Sequence, residues 1–273
     1  MLQQGETVMV AKSTRRTLFG LASIAALAAV ATPARAQEQR SDLETIRRAG
    51  TIRVGAALAA PYYTRDASGT WKGLIPDLMN IIAGYLGVKI EYVETTWGTA
   101  AAGLQTNKFD IMGAFNVTPD RALAVDFTRS LGDTSFGLIT ITGDPKKFAT
   151  WEDVEKAGMD LLTVEGTGSH RTMRQLRPNL KWRGVPNRDT FFLELESGRS
   201  VYALLDEIGA AQFIEARNKG HYIQLTPGYT SPTNLAIRKA ANTELLRWLD
   251  QTLFFMGNVG QLEDIWAKYR PKR

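Results

Sequence analysis

The chain contains no cysteine, which excludes disulfides, thiolate metal sites and cysteine nucleophiles together. Histidine is almost as scarce. His170 and His221 are the only two, far apart in sequence, and without a thiolate they do not make an ordinary zinc site. Each reads as a surface or loop residue. Neither a G-x-S-x-G elbow nor an H-E-x-x-H pair occurs, so two common hydrolase signatures are missing. No run of Lys and Arg marks nucleic acid or an anionic membrane surface as a partner. There is no internal repeat, low-complexity tract or flexible linker. The carboxylate pairs Glu152/Asp153, Asp206/Glu207 and Glu263/Asp264 fall at helix ends or on helical faces, where solvation accounts for them. The apolar run Leu18 to Ala31 covers about 14 residues, short of the roughly 20 that span a bilayer.

That run belongs to an export signal. Lys12, Arg15 and Arg16 form a charged segment before it, and Ala34-Arg35-Ala36 supplies a small-residue cleavage site before Gln37. Residues 1–36 are therefore expected to be a signal peptide cleaved after Ala36. Ser13 to Phe19 also resembles a twin-arginine signal, although arginine pairs occur in ordinary signals too, and translation could start at Met1 or Met9. Removing the segment takes four of 33 basic residues and one of 28 acids. Net charge then falls from +5 to about +2, so the basic character is partly a property of the signal. The remaining 237 residues or so can build one or two hydrophobic cores.

Strand-like and helix-like segments alternate along those residues. Ser41 caps a short helix that Gly50 closes, Ile52 to Gly55 reads as a strand, Leu74 to Leu86 as a helix ended by Gly87, and Val88 to Val93 as a strand. A second series starts after Gly143-Asp144-Pro145. Thr150 opens a helix with a capping box, Leu161 to Val164 is a strand, His170 to Leu176 a helix, and Asn187 or Asp189 caps a helix to Glu196. Val201 to Leu205 is a strand, Ile208 to Asn218 a helix, and Leu235 to Ile237 a last strand before two helices. This alternation indicates an α/β fold with a largely parallel sheet, in which ligands bind outside the carboxyl ends of the strands.

The most informative stretch is Phe109 to Arg129, FDIMGAFNVTPDRALAVDFTR. A short apolar run empties into a polar loop, Pro119 starts a helix, and Arg121 stands just past the turn. Unpaired backbone N–H groups at such a helix start favour anions, and an Arg beside it can grip a carboxylate with two parallel hydrogen bonds. On local context alone, an Arg on a solvated turn is the better reading.

The pattern Gly-x-x-Asn-x-Thr-Pro-x-Arg followed by Ala-Val-Asp-Phe-Thr resembles the signature of family-3 bacterial extracellular solute-binding proteins, the amino-acid-binding components of ABC importers. The resemblance continues from about residue 42 to the end. It implies a periplasmic, monomeric protein with the two-lobed type II binding fold, each lobe a mostly parallel sheet flanked by helices. The expected lobes are 42–139 plus 234–273, and 143–230, with hinge crossings near 139–143 and 229–234. Two hinges allow closure over a ligand. The implied partners are an amino acid-like zwitterion and an inner-membrane permease, with no cofactor and no metal.

The same resemblance nominates Arg121 for the ligand carboxylate, Asp206 for its ammonium, and Asn116, Thr167 and Ser169 for further hydrogen bonds. Asp206 would also serve as an N-cap on the next helix. Gly168 departs from the family pattern, which has a second hydroxyl residue there. Trp97 and Tyr62 are placed as walls of the side-chain pocket, and Arg188 could face the ligand side chain. Ala57, Ala100 and Ala114 make the first-lobe side more apolar than an acidic ligand would want. Two other readings stay open. Cyclohexadienyl dehydratases resemble this chain but need a Glu where it has Gly209, and an accessory or sensor module would keep the fold without transport.

Overall fold

The computed structural model describes residues 41–240 and 243–270, so the expected signal peptide lies outside the described residues. The first half of the chain comprises α1 (Asp42–Ala49), β1 (Thr51–Ala56), β2 (Thr64–Arg65), β3 (Trp71–Lys72) and α2 (Leu74–Leu86). It continues with β4 (Lys89–Glu94), α3 (Ala100–Gln105), β5 (Ile111–Met112), α4 (Pro119–Ala124) and β6 (Val125–Phe127). Next come β7 (Gly132–Thr140), α5 (Trp151–Ala157), β8 (Asp160–Val164), α6 (Gly168–Leu176), β9 (Lys181–Val185) and α7 (Arg188–Glu196). The rest is β10 (Tyr202–Asp206), α8 (Glu207–Arg217), β11 (His221–Ile223), β12 (Tyr229–Thr233), β13 (Ala236–Arg238), α9 (Glu244–Asn258) and α10 (Gln261–Ala267).

Caps set several helix ends. The Ser41 hydroxyl accepts from Glu44 N, and Gly50 ends α1 in the left-handed conformation. Thr150 and Asp153 form a reciprocal capping box on α5. Asn187 caps α7 and Asp206 caps α8, each side chain accepting an N–H three residues on. In α2, Leu74, Leu78 and Ile82 repeat at helical spacing and are buried with Ile75, Met79 and Leu86, so one broad apolar face packs on the first sheet.

Two mixed sheets result. In the first, ordered β4-β1-β5-β13-β6, β1 runs parallel to β4 and β5, while β13 is antiparallel to β5 and β6. In the second, ordered β11-β7-β10-β8-β9, β8 runs parallel to β9 and β10, and β7 is antiparallel to β10, β11 and β12. The parallel pairs are those joined by helical crossovers, as the alternation of elements predicts. Apart from the short β2/β3 hairpin, the antiparallel pairs involve strands that enter or leave a change of sheet.

It does so twice, between β6 and β7 and between β12 and β13. The expected first crossing near 139–143 is displaced. Ile139 and Thr140 pair with Ala203 and Tyr202 inside the second sheet, and the passage lies upstream, around 128–135. There the start of β7 pairs with β12 from Gly132↔Thr233 to Phe136↔Tyr229, so the two passages form one ribbon. A nine-residue strand serving both ribbon and sheet has no internal break in its sequence. Strands β9 and β11 also lack a counterpart in the sequence reading. Both lie at sheet edges and are partly exposed, so neither carries an apolar run.

His170 is likewise not a surface residue. It is buried on α6 against the Trp182 ring, and its Nε2 has no partner. Burial, then Arg174 and Arg171, lower its pKa from 6.5 to about 4. The unfolded chain therefore binds a proton between these values that the folded chain refuses, so stability falls as pH drops through that window. The expected loss is at most about 3 kcal/mol, and His170→Gln should flatten the pH dependence of the melting temperature between pH 7 and pH 4. Parallel profiles for variant and parent would remove His170 from the acid response.

Candidate functional site

A cavity of about 50 Å³ lies between the carboxyl ends of the two sheets' parallel strands. At about 10–15 Å³ per water, it has room for roughly four waters. Seven of the expected residues line it: Tyr62, Trp97 and Asn116 from the first half of the chain, and Thr167, Ser169, Arg188 and Asp206 from the second.

Arg121 does not line it. Its side chain is buried behind the wall, 3% exposed, with the guanidinium 3.7 Å from the centre of the Phe115 ring. Nη1 donates to Asn116 O at 2.9 Å, and Nη2 to Gly166 O at 2.6 Å and Trp97 O at 3.4 Å. Nε has no partner among the described residues. The nearest acid, Asp120, is engaged by Arg171 and by the Thr118 hydroxyl. Burial and then Arg171 lower the guanidinium pKa to about 9, so it remains a cation at neutral pH. A desolvated cation held only by carbonyl dipoles, with no carboxylate, is costly unless something anionic completes it.

Asp206 is both of the things expected of it, a cleft residue and a helix cap. Its Oδ1 accepts from Gly209 N at 2.8 Å and from the Tyr62 hydroxyl at 3.2 Å, while Oδ2 is ion-paired with Arg188. Burial, then the Asp206 charge, push the Tyr62 phenol well above its ordinary range, which keeps it a donor. Arg188 also donates to Ala60 O across the cleft. Its guanidinium is seated against Gly209, where an added Cβ would stand 2.9 Å from Arg188 Cζ.

The loop before α6 approaches the opposite wall. The Thr167 hydroxyl is occupied locally, donating to Val164 O at 2.9 Å and accepting from His170 N. Ser169 makes one weak contact, 3.4 Å to the Thr167 hydroxyl. Gly168 faces Asn116, and a Cβ on it would lie 2.6 Å from Asn116 Cγ. This close approach leaves no room for the hydroxyl residue that the family resemblance expects there. Asn116 itself is held by Nδ2 donating to Pro232 O at 3.1 Å, after Ala114 has turned the chain through a left-handed φ of 52°.

The β7/β12 ribbon adds lining residues that the sequence reading missed, Thr134, Phe136, Ser231 and Thr233. Thr134 and Thr233 share a hydroxyl contact of 3.1 Å. Their two-residue spacing puts each pair on one face of its strand. The alternating hydroxyls of Ser231 and Thr233 were the available signal, hidden because 229–234 read as a crossing.

Two mixed sheets joined by a paired crossing, with a polar cleft between them, define the two-lobed periplasmic binding fold. The chain belongs to the bacterial extracellular solute-binding proteins, family 3, whose model matches residues 52–272. It is similar to the Sinorhizobium fredii "Probable amino-acid ABC transporter periplasmic-binding protein y4tE", 30% identical over 151 residues, and spans 48% of that protein with 54% of its own length. It is also similar to the cyclohexadienyl dehydratase of Pseudomonas aeruginosa, 26% identical with 73% of this chain and 74% of the enzyme aligned. The crystal structure of the ancestral amino acid-binding protein AncCDT-1, a precursor of cyclohexadienyl dehydratase, superposes with a TM-score of 0.76 at 30% identity, covering 84% of this chain and 99% of that one.

Proposed function

We propose that this is an exported solute-binding protein that captures a small carboxylate-bearing solute, an amino acid or close analogue, and presents it to an inner-membrane ABC permease. The observation that carries this is Arg121, a buried cation without a carboxylate, bridging Trp97 and Asn116 on one side of the cleft to Gly166 on the other. When the cleft opens, the Gly166 carbonyl leaves with its own sheet, and the donor it frees is the one a ligand carboxylate takes. Asn116 and Ser169 add hydrogen bonds, and Trp97 and Tyr62 wall the pocket. The β7/β12 ribbon is the hinge, and release of the leader after Ala36 delivers the protein to the periplasm.

The acids support binding over catalysis. Asp206 is the sole carboxylate lining the cavity among the described residues, and Arg188, Gly209 N and the Tyr62 hydroxyl already engage it. The described residues also contain no helix long and apolar enough to cross a membrane, which suits a diffusing carrier. Thermal shift against amino acids, small carboxylates and polyamines tests the reading. A carboxylate ligand at 100 times its Kd should add about 2.7 kcal/mol, roughly 5–10 °C at this size. Silence from every carboxylate, or a response to polyamines alone, would sink it.

Closure makes a second expectation. Gly168→Ala forces a methyl against Asn116, an overpacking of about 1–3 kcal/mol that bears on the closed form alone. Affinity should fall roughly tenfold while the unliganded melting temperature holds. An unaltered Kd by calorimetry would mean that the loop does not meet Asn116 in the bound state.

A further inference from the structure

The charges around the cleft are not those a zwitterion needs. On one side Arg121 and Arg171 stand near the single acid Asp120, which pairs with Arg171, and on the other Arg188 and Asp206 neutralise each other. Three cations against two anions leave one surplus positive charge. Asp206 has little left to offer an ammonium group. Of its roughly four lone-pair positions, Gly209 N, the Tyr62 hydroxyl and Arg188 take three. Nor is Arg188 a passing surface chain. Its side chain is 9% exposed, it reaches across the cleft to Ala60 O, and its guanidinium occupies the space left by the missing side chain of Gly209.

We propose that Arg188 is a specificity-determining residue that fills the ammonium position beside Asp206, so that the solute is a small carboxylate without an amino group, a 2-oxo or 2-hydroxy acid. This rests on the reading of the site as a carboxylate-capturing cleft. The solute's single negative charge matches the surplus at Arg121. Its neutral oxygen is served by the Thr134, Ser231 and Thr233 hydroxyls, which line the same cavity. A zwitterion would bring a second cation beside Arg188, where like charge disfavours it.

Calorimetry on matched pairs decides this: pyruvate and L-lactate against L-alanine, 2-oxo-4-methylpentanoate against L-leucine, and 2-oxoglutarate against L-glutamate. The protein should bind at least one oxo or hydroxy acid ten or more times tighter than its amino counterpart. Arg188→Leu, which frees Asp206, should reverse that order. Asp206→Asn, which retains a capping side chain on α8, should keep the preference for the acid lacking nitrogen. If the parent protein binds an amino acid as tightly as its deaminated partner, the inference falls while the carboxylate reading stands. If no carboxylate of either kind binds, that reading falls and takes the inference with it.

Discussion

Arg121→Ala is expected to weaken solute binding at least 30-fold or so, because truncating one partner of a desolvated charge pair typically costs about 2–5 kcal/mol. The effect should be confined to the ligand-bound state. In the closed cleft without ligand the guanidinium is buried with no carboxylate and, among the described residues, an unpaired Nε, an unfavourable desolvation that alanine removes. Losing the carbonyl contacts and the Phe115 stacking opposes that gain. Arg121→Met separates the two contributions, since its stem still covers the Phe115 ring while the charge is gone. Both variants should bind poorly, and Met should melt closer to the parent than Ala does. Either variant binding with parental affinity would remove Arg121 from the site.

Phe109→Ala should produce the largest stability loss. The ring is fully buried at the start of the stretch that leads into the site. It is gripped by two glycines: a Cβ on Gly55 or Gly103 would lie 2.6 Å from ring atoms Cε2 and Cζ respectively. Backbone therefore packs directly on both sides of the ring, and β1 and α3 cannot collapse to fill the hole. Phe→Ala in such a site costs about 3–5 kcal/mol, roughly 6–20 °C at this size. Because Phe109 does not line the cavity, affinity below the melting transition should change little. A loss under about 1 kcal/mol would show that the first sheet repacks freely.

These expectations draw on different kinds of information. Helix limits were legible because capping is local: Ser41, Thr150 and Asn187 each bond an N–H three residues on, and the hydroxyl or amide that does so is visible in the chain. The α2 face was legible because its apolar spacing is a property of one helix. The loop through Asn116 and Arg121 was legible through its resemblance to a family signature, which the match over 52–272 bears out at the level of the family.

What could not be read from one dimension is whatever depends on distant partners. Arg188, at the start of α7, and Asp206, at the end of β10, meet across 18 positions of chain. Tyr62 reaches Asp206 across 144 positions of chain, and Arg121 reaches Gly166 across 45. No local pattern encodes these distances, since they follow from how two sheets close on each other. The passage between the sheets shows the same division. The apolar run ending in β7 announced a strand, but only its pairing with β12 shows which end crosses between the sheets. Sequence settles which residues carry charge, cap and core. Tertiary packing settles which charges neutralise one another, as Arg188 and Asp206 do at this cleft.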